Sequence, residues 1–350
     1  MLCMLFVLGL AACGGNSSPT IDASNAVDSG DKPQKEEEEA PPPDPYANCV
    51  INPLTGEKTL DPEAEGNRPV AVSINNIYAA QAVQSGLDKA DVIFESEVEG
   101  GITRLLALFT DPSDVGKIGT IRSLRVPFAE IARGMNAILY FHGMDNTYCR
   151  PLLPTLGLSY AQIDAAKYGF REKNGLSYEH TLYSSGDRIM KLTQARGFKT
   201  KGSGENWLTF SDAEEKLVPA SGTAKTAKVK FNGTSTTNFF YDTETEKYTR
   251  ANKNGTEFKT YHTGQKEQFT NVFVLKTSIY DYPDGKHRAI DLSSGSGWYI
   301  SAGGYTEINW KKGAASENFS FTATDGTPLT VNKGNSYVCI MNHSGTLTME

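Results

Sequence analysis

The chain has little of what would make it a metal protein, a disulfide scaffold or a membrane-spanning one. Only five cysteines occur among 350 residues, at positions 3, 13, 49, 149 and 339. No Cys-x-x-Cys pair and no ligand-like Cys/His spacing is found, so no metal and no cofactor is expected. The apolar opening run, residues 1–12, is too short to cross a bilayer, which takes about 20 residues. Positive charge is also in deficit: the formal net charge is −7, which argues against nucleic acid as a partner. No Gly-x-Ser-x-Gly elbow occurs, so hydrolysis through Ser123 and His142 lacks a sequence signature. The chain shows no internal repeat.

What is present is enough apolar residue, 39%, to bury a substantial core, over a length suited to about two domains at roughly 150 residues each. The opening run leads into Leu10-Ala11-Ala12-Cys13, which has the form of a bacterial lipobox. On that reading residues 1–12 are a signal peptide and Cys13 carries lipid, holding the protein on the extracytoplasmic face of the membrane. No Lys or Arg precedes the run, and an ordinary apolar start is the alternative. Residues 13–47, with the Glu36–Glu39 run and Pro41-Pro42-Pro43, are too polar to order themselves and read as a tether. Cys49, Cys149 and Cys339 cannot all pair. A Cys49–Cys339 bridge and three free thiols both remain open.

The body divides at a change of texture into an α/β domain over 48–212 and a mostly β domain over 213–350. The first is organised around residues 117–144. An apolar run there ends in Arg122-Ser123-Leu124-Arg125, and Pro127 opens a helix whose apolar face carries Phe128, Ile131, Ala132 and Met135. Ala137–Phe141 follows as a buried strand ending at His142-Gly143. If the two strands are parallel neighbours, the arginine turn and His142 lie beyond strand carboxyl ends, where open α/β sheets place ligands. Arg122 and Arg125 beside a helix start make an anion site. Arg68–Asn76 is a further strand with Asn75-Asn76 at its polar end. Ala90–Val98 and Ile102–Thr110 flank Gly100-Gly101 as a two-residue hairpin, which sets Glu97 opposite Arg104. That pair reads either as a cross-strand ion pair or as a carboxylate at work in a cleft. Leu158–Phe170 is expected to form a short helix, and Arg188–Arg196 a second one capped by Ser185 and stopped by Gly197.

In the second domain, short aromatic and β-branched runs alternate with turn pairs such as Asn232-Gly233, Asp284-Gly285 and Gly303-Gly304. Strands are expected at 239–241, 272–275, 298–300 and 337–341, in a mostly antiparallel sheet, sandwich or partial barrel. Tyr241, Tyr248, Tyr261, Trp298, Tyr305 and Trp310 either pack in its core or form a sugar-stacking surface. The fold class expected is α+β or α/β: an N-terminal mixed sheet with flanking helices, then a mostly antiparallel β domain.

Taken in order, these motifs resemble the YerB-type lipoproteins of Gram-positive bacteria. The carriers are Arg68–Asn76, Ser85-Gly86-Leu87, Glu97 to Arg104 with its Gly-Gly turn, Ile118-Gly119 through Arg125, and His142-Gly143. Where that family reads Pro-His-Asn, this chain has Glu179-His180-Thr181. The resemblance implies a fold and an envelope address, and it assigns no activity.

Two functional classes follow. One is a membrane-anchored lipoprotein binding an envelope component: a cell-wall polymer, a lipid-linked precursor or a protein partner. Its ligand residues are then Arg104, Arg122, Ser123, Arg125, His142, Asn75 and His180. The other is an enzyme on a phosphate-bearing or lipid-linked wall precursor, loosely similar to the LytR-CpsA-Psr phosphotransferases. Its arginines hold phosphoryl oxygens, and Glu97 or His142 handles protons.

Overall fold

Runs rich in apolar residues form the strands of the first segment, the longest of them buried on both faces of one sheet. In chain order they are β1 (Val70–Asn75), β2 (Val92–Glu97), β3 (Thr103–Phe109), the two-residue β4 (Ile118–Gly119), β5 (Ile138–Phe141), β6 (Ser159–Gln162), β7 (Phe170–Arg171) and β8 (Leu182–Ser184). Helix α1 (Val126–Gly134) precedes β5 and helix α2 (Gly186–Ala195) follows β8. The second segment adds β9 (Thr226–Lys230), β10 (Thr236–Asp242), β11 (Lys247–Ala251), β12 (Gln268–Phe269), β13 (Asn271–Thr277), β14 (Ser294–Ser301), β15 (Gly304–Lys311), β16 (Ser336–Asn342) and β17 (Thr346–Met349). Shorter strands of two to four residues accompany them. This computed structural model describes residues 44–350, so the expected signal peptide, Cys13 and nearly all of the tether lie outside the described residues.

The large sheet runs β15-β14-β13-β16-β2-β3-β1-β5-β6 in space. Strand β16 lies parallel to β13 and to β2, with Val338 beside both Phe273 and Phe94. The two segments expected as separate domains therefore share one sheet. The physical reason is that β2 and β16 are buried on both faces and carry apolar side chains on each, and either would be an exposed, sticky edge without the other. Their side chains alternate between two cores. Phe94, Leu106, Phe141 and Ile340 pack on the α1 side with Trp207, Trp310 and Phe319. Ile93, Leu105, Tyr140 and Tyr337 pack on the other side with Ile189 and Leu192 of α2. The five-stranded antiparallel sheet β12-β11-β10-β9-β17 covers that second face through Val229, Phe239 and Tyr248. The class is broadly α+β.

Local expectations hold at several points. Phe128, Ile131 and Ala132 of α1 are buried, and Pro127 sits in its first turn. The Ser185 hydroxyl accepts from the Arg188 N–H (3.3 Å), capping α2, and Gly197 ends it with φ +63°. All four strands expected in the second segment form.

Other expectations are corrected. Residues 158–170 form β6, a turn and then β7 in place of a helix; Ala161 and Ile163 are buried on either side of an exposed Gln162, a period of two. Strand β4 is no parallel neighbour of β5; it pairs antiparallel with β8 in a small three-stranded sheet. The β2–β3 loop is longer than two residues: Gly100 and Gly101 both have positive φ, and the Val98 N–H bonds the Ile102 carbonyl. Glu97 then faces Thr103, and Arg104 faces Ser96. A one-residue slip moves every side chain to the other face, so no Glu97–Arg104 pair exists. The aromatic residues are no shared stacking surface, since Tyr248 and Trp310 are buried. Cys49, Cys149 and Cys339 are all free thiols.

One polar network joins the segments inside the core. Arg250 and Glu267, both fully buried, form an ion pair at 2.7 Å. Arg250 also donates to the Asn76 Oδ1 (2.8 Å) and the Gln84 Oε1 (3.2 Å), and the Phe258 ring lies 4.0 Å from its guanidinium carbon. Asn76 in turn donates to Glu95 (2.8 Å), whose second oxygen accepts from Tyr337 (2.6 Å) and Thr237 (2.9 Å). Removing one partner of such a pair strands a buried charge and costs about 3–5 kcal/mol. Glu267→Ala is expected to lose that much stability in urea unfolding, and Arg250→Met with Glu267→Leu to recover part of it.

Candidate functional site

Strands β1 and β5 run parallel, with Val72 beside Tyr140, so their carboxyl ends are adjacent. The arginine turn crosses those ends. The Arg122 N–H donates to the Ser73 carbonyl (2.9 Å), and the Arg122 carbonyl accepts from the His142 N–H (3.2 Å). The Asn75 N–H donates to the Thr120 carbonyl (2.8 Å), and the Leu124 N–H to the Gly143 carbonyl (3.0 Å). Gly143 has φ +79°, and a Cβ there would come within 2.9 Å of the Ser123 hydroxyl, so the close approach needs glycine.

Asn75 lies opposite Arg104 across β1 and β3, which brings that arginine under the turn. Arg104 is 2% exposed and donates through Nη1 to the Ser123 carbonyl, which the Ser73 hydroxyl also approaches (3.4 Å). Its Nε is buried without a partner. Burial pushes the Arg104 guanidinium down to about 9, the nearby Arg125 and Arg122 charges acting the same way and Glu99 opposing. It still carries its charge at neutral pH. Arg125 makes a two-pronged ion pair with Glu99, one prong at 2.8 Å. Burial works to raise the Glu99 carboxyl, but the hydrogen bonds and charge of Arg125, helped by Arg104, hold it down at about 2.

Arg122 reaches the Glu179 carbonyl (3.4 Å) and, more loosely, its carboxylate (3.8 Å). The Asn75 amide donates to His180 Nδ1 (2.8 Å), which leaves the imidazole proton on Nε2, 3.5 Å from Glu179. Burial and the Arg122 charge lower the His180 pKa, with Glu179 opposing. Arg171, at the end of β7, completes the group. It donates to the Tyr178 carbonyl (2.6 Å), stacks on the Tyr178 ring at 3.7 Å and faces His142 Nε2 at 3.3 Å.

The structure thus brings Asn75, Arg104, Arg122, Ser123, Arg125, His142 and His180 to one end of β1 and β5. It leaves Glu97 out: that carboxylate lies on the opposite face of the sheet from Arg104 and accepts from Asn232 (2.9 Å). His142 has both ring nitrogens engaged, Nδ1 on the Ile163 carbonyl (2.9 Å) and Nε2 on Arg171. Four guanidinium groups meet two carboxylates, Glu99 and Glu179, which makes the site cationic. Among the described residues no group of carboxylates, histidines and cysteines is placed to hold a metal ion. Arg171 owes its place to the pairing of β7 with β8, opposite Leu182, and Glu99 to the β2–β3 loop, and the local pattern defines neither.

A model of the N-terminal domain of a protein of unknown function, DUF3048, matches residues 54–199, and its C-terminal counterpart matches 227–338. The Bacillus subtilis (strain 168) protein named "Putative lipoprotein YerB" is 31% identical over 274 residues, 74% of this chain and 77% of its own length. The crystal structure of the YerB protein from Bacillus subtilis superposes with a TM-score of 0.72 at 28% identity, covering 85% of this chain and 98% of that one. With both segments matched and that relative so widely aligned, the chain belongs to the DUF3048 family and is YerB-like in fold.

Proposed function

We propose that this protein is an envelope lipoprotein, anchored through Cys13 to the extracytoplasmic face of the membrane, that binds an anionic group of an envelope component at the arginine turn. The lipobox form and the name of the Bacillus subtilis relative support the anchor. One observation carries the binding site: among the described residues, the buried Arg104 has no carboxylate at ion-pair distance, because Glu99 is taken by Arg125. A buried charge without its own counter-charge is costly, and an anion arriving at Arg122 and Arg125 offsets it. Arg122 is the partly open member, its side chain 29% exposed and only loosely held by Glu179. Phosphate suits planar guanidinium donors. Chemistry at the same place finds less support, since Glu97 is elsewhere and His142 has no free nitrogen.

Pyrophosphate at 100 times its dissociation constant is expected to stabilise the protein by about 2.7 kcal/mol in thermal unfolding. Arg122→Ala and Arg125→Ala are each expected to remove that shift, and an unchanged melting temperature in the parent protein would retire the site. The Glu99–Arg125 pair generates a second expectation. The Glu99 carboxyl is held at about 2 when folded against an ordinary 4.5, so its contribution is complete above pH 4.5 and lost as pH falls toward 2. Glu99→Gln should flatten that acid limb in urea titrations between those pH values, and a limb of unchanged slope would show that the pair contributes nothing.

A further inference from the structure

Three side chains far apart in the sequence form a hydrogen-bonded chain away from the arginine turn. The Ser85 hydroxyl lies 2.6 Å from His262 Nδ1, and His262 Nε2 lies 3.0 Å from Glu172 Oε1. A carboxylate only accepts, so Nε2 carries the imidazole proton and Nδ1 is left to accept from the hydroxyl. Each member is fixed by backbone hydrogen bonds. Ser85 exchanges two with Gly119 (2.7 and 3.1 Å). The Tyr261 N–H donates to the Gln84 carbonyl (2.8 Å), which sets His262 beside Ser85, and the Glu172 N–H donates to the Thr181 carbonyl (3.0 Å). Lys117 binds the other Glu172 oxygen at 2.6 Å, and its hydrogen bond, with that of His262, holds the Glu172 carboxyl below its ordinary range.

Ser85 and His262 both border a cavity of about 330 Å³, whose wall includes Gly86, Lys89, Lys117 and Thr263. That volume falls in the range of small-molecule sites, about 300–1,000 Å³. Gly86 has φ +80°, and a Cβ there would come 2.5 Å from the Lys117 carbonyl, so the wall next to the serine admits no side chain. A hydroxyl bonded to an imidazole that is itself bonded to a carboxylate is the arrangement that activates serine, and geometry identifies it whatever the order along the chain.

We propose that Ser85, His262 and Glu172 form an acyl-transfer site for a carboxylic ester small enough to enter this cavity. The Ser85 oxygen attacks the ester carbonyl carbon as its proton passes to His262 Nδ1, and Glu172 stabilises the resulting imidazolium through Nε2. The bond from the carbonyl carbon to the alcohol oxygen then breaks, and Nδ1 returns the proton to that oxygen. Water adds to the acyl-serine, giving one proton to Nδ1; the acid departs, and the serine oxygen recovers that proton. Ser85 itself is fully buried beside the cavity wall and the His262 side chain is 20% exposed, so an acyl group reaches the serine oxygen only where that wall yields, which selects for a small one.

The test is covalent labelling of the full chain with a small fluorophosphonate, alongside hydrolysis of p-nitrophenyl acetate. One phosphonyl group is expected on Ser85 by peptide mass mapping, with ester turnover that the label abolishes. His262→Gln is expected to slow labelling by about 100-fold or more, the usual reach of a general base, and Glu172→Gln by less. A folded protein that takes no label, or takes it only on other residues, overturns the proposal. So does His262→Gln that melts at a lower temperature yet labels at the parent rate, because the three groups then only clamp the segments together. If Ser85→Ala fails to fold, the mapped position of the label on the parent protein decides.

Discussion

The parallel insertion of β16 between β2 and β13 is the constraint on which the rest of the molecule depends. Val338 and Ile340 fill one core, and Tyr337 and Cys339 the other, so this strand must be interior. Once it is, the last strands of the chain hold β2 in place, and β2 holds β3 and β1 in turn. The polar network obeys the same geometry. Tyr337 of β16 donates to Glu95 of β2, and Glu95 accepts from Asn76 at the end of β1, where Arg250 also binds. A buried network is tolerable only when nearly every member is satisfied, and this one is satisfied only with both segments in register.

Register also decides the chemistry. With Gly100 and Gly101 both at positive φ, the β2–β3 connection takes one more residue than a tight two-residue turn, and Arg104 lands on the α1 face of the sheet. There it meets the Ser123 carbonyl and the charges of Arg122 and Arg125. With the alternative register Glu97 would neutralise it. The observed one separates the two groups by the thickness of the sheet and leaves the arginine charge to be matched from outside. Cation excess at this end of β1 and β5 is therefore a consequence of loop length as much as of composition.

Much of this was legible from local pattern. Helix α1 and its buried face, the Ser185 cap of α2 and the long strands of the second segment all follow from short-range signals. What was not legible depends on partners distant in the chain. Residues 158–163 carry Ala and Ile at spacings that fit either a helix or a strand, and pairing with β5 decides for the strand. The sharing of one sheet by both segments cannot be read from a change of texture near residue 213. Glu95 and Arg250 stand in strands and Glu267 just before one, where charge suggests a solvated face, yet all three are buried in one hydrogen-bonded network. His262 gains its meaning from Ser85 and Glu172, both distant in the chain.

The two sites meet in two short segments. Residues 117–125 carry Lys117 to Glu172, Gly119 to Ser85, Arg122 to Glu179 and Arg125 to Glu99. The dipeptide Arg171-Glu172 repeats the division, with Arg171 turned to His142 and Tyr178 and Glu172 to His262 and Lys117. In extended backbone, successive side chains point to opposite sides, so one residue of spacing suffices to keep a cationic site and a carboxylate–imidazole pair apart. Their separation has an electrostatic reason. An imidazolium forming at His262 needs Glu172 ionised and unshared with the arginine turn, while an anion at Arg122 needs the guanidinium groups unopposed by that carboxylate. The alternation at positions 171 and 172 satisfies both requirements with a single stretch of chain.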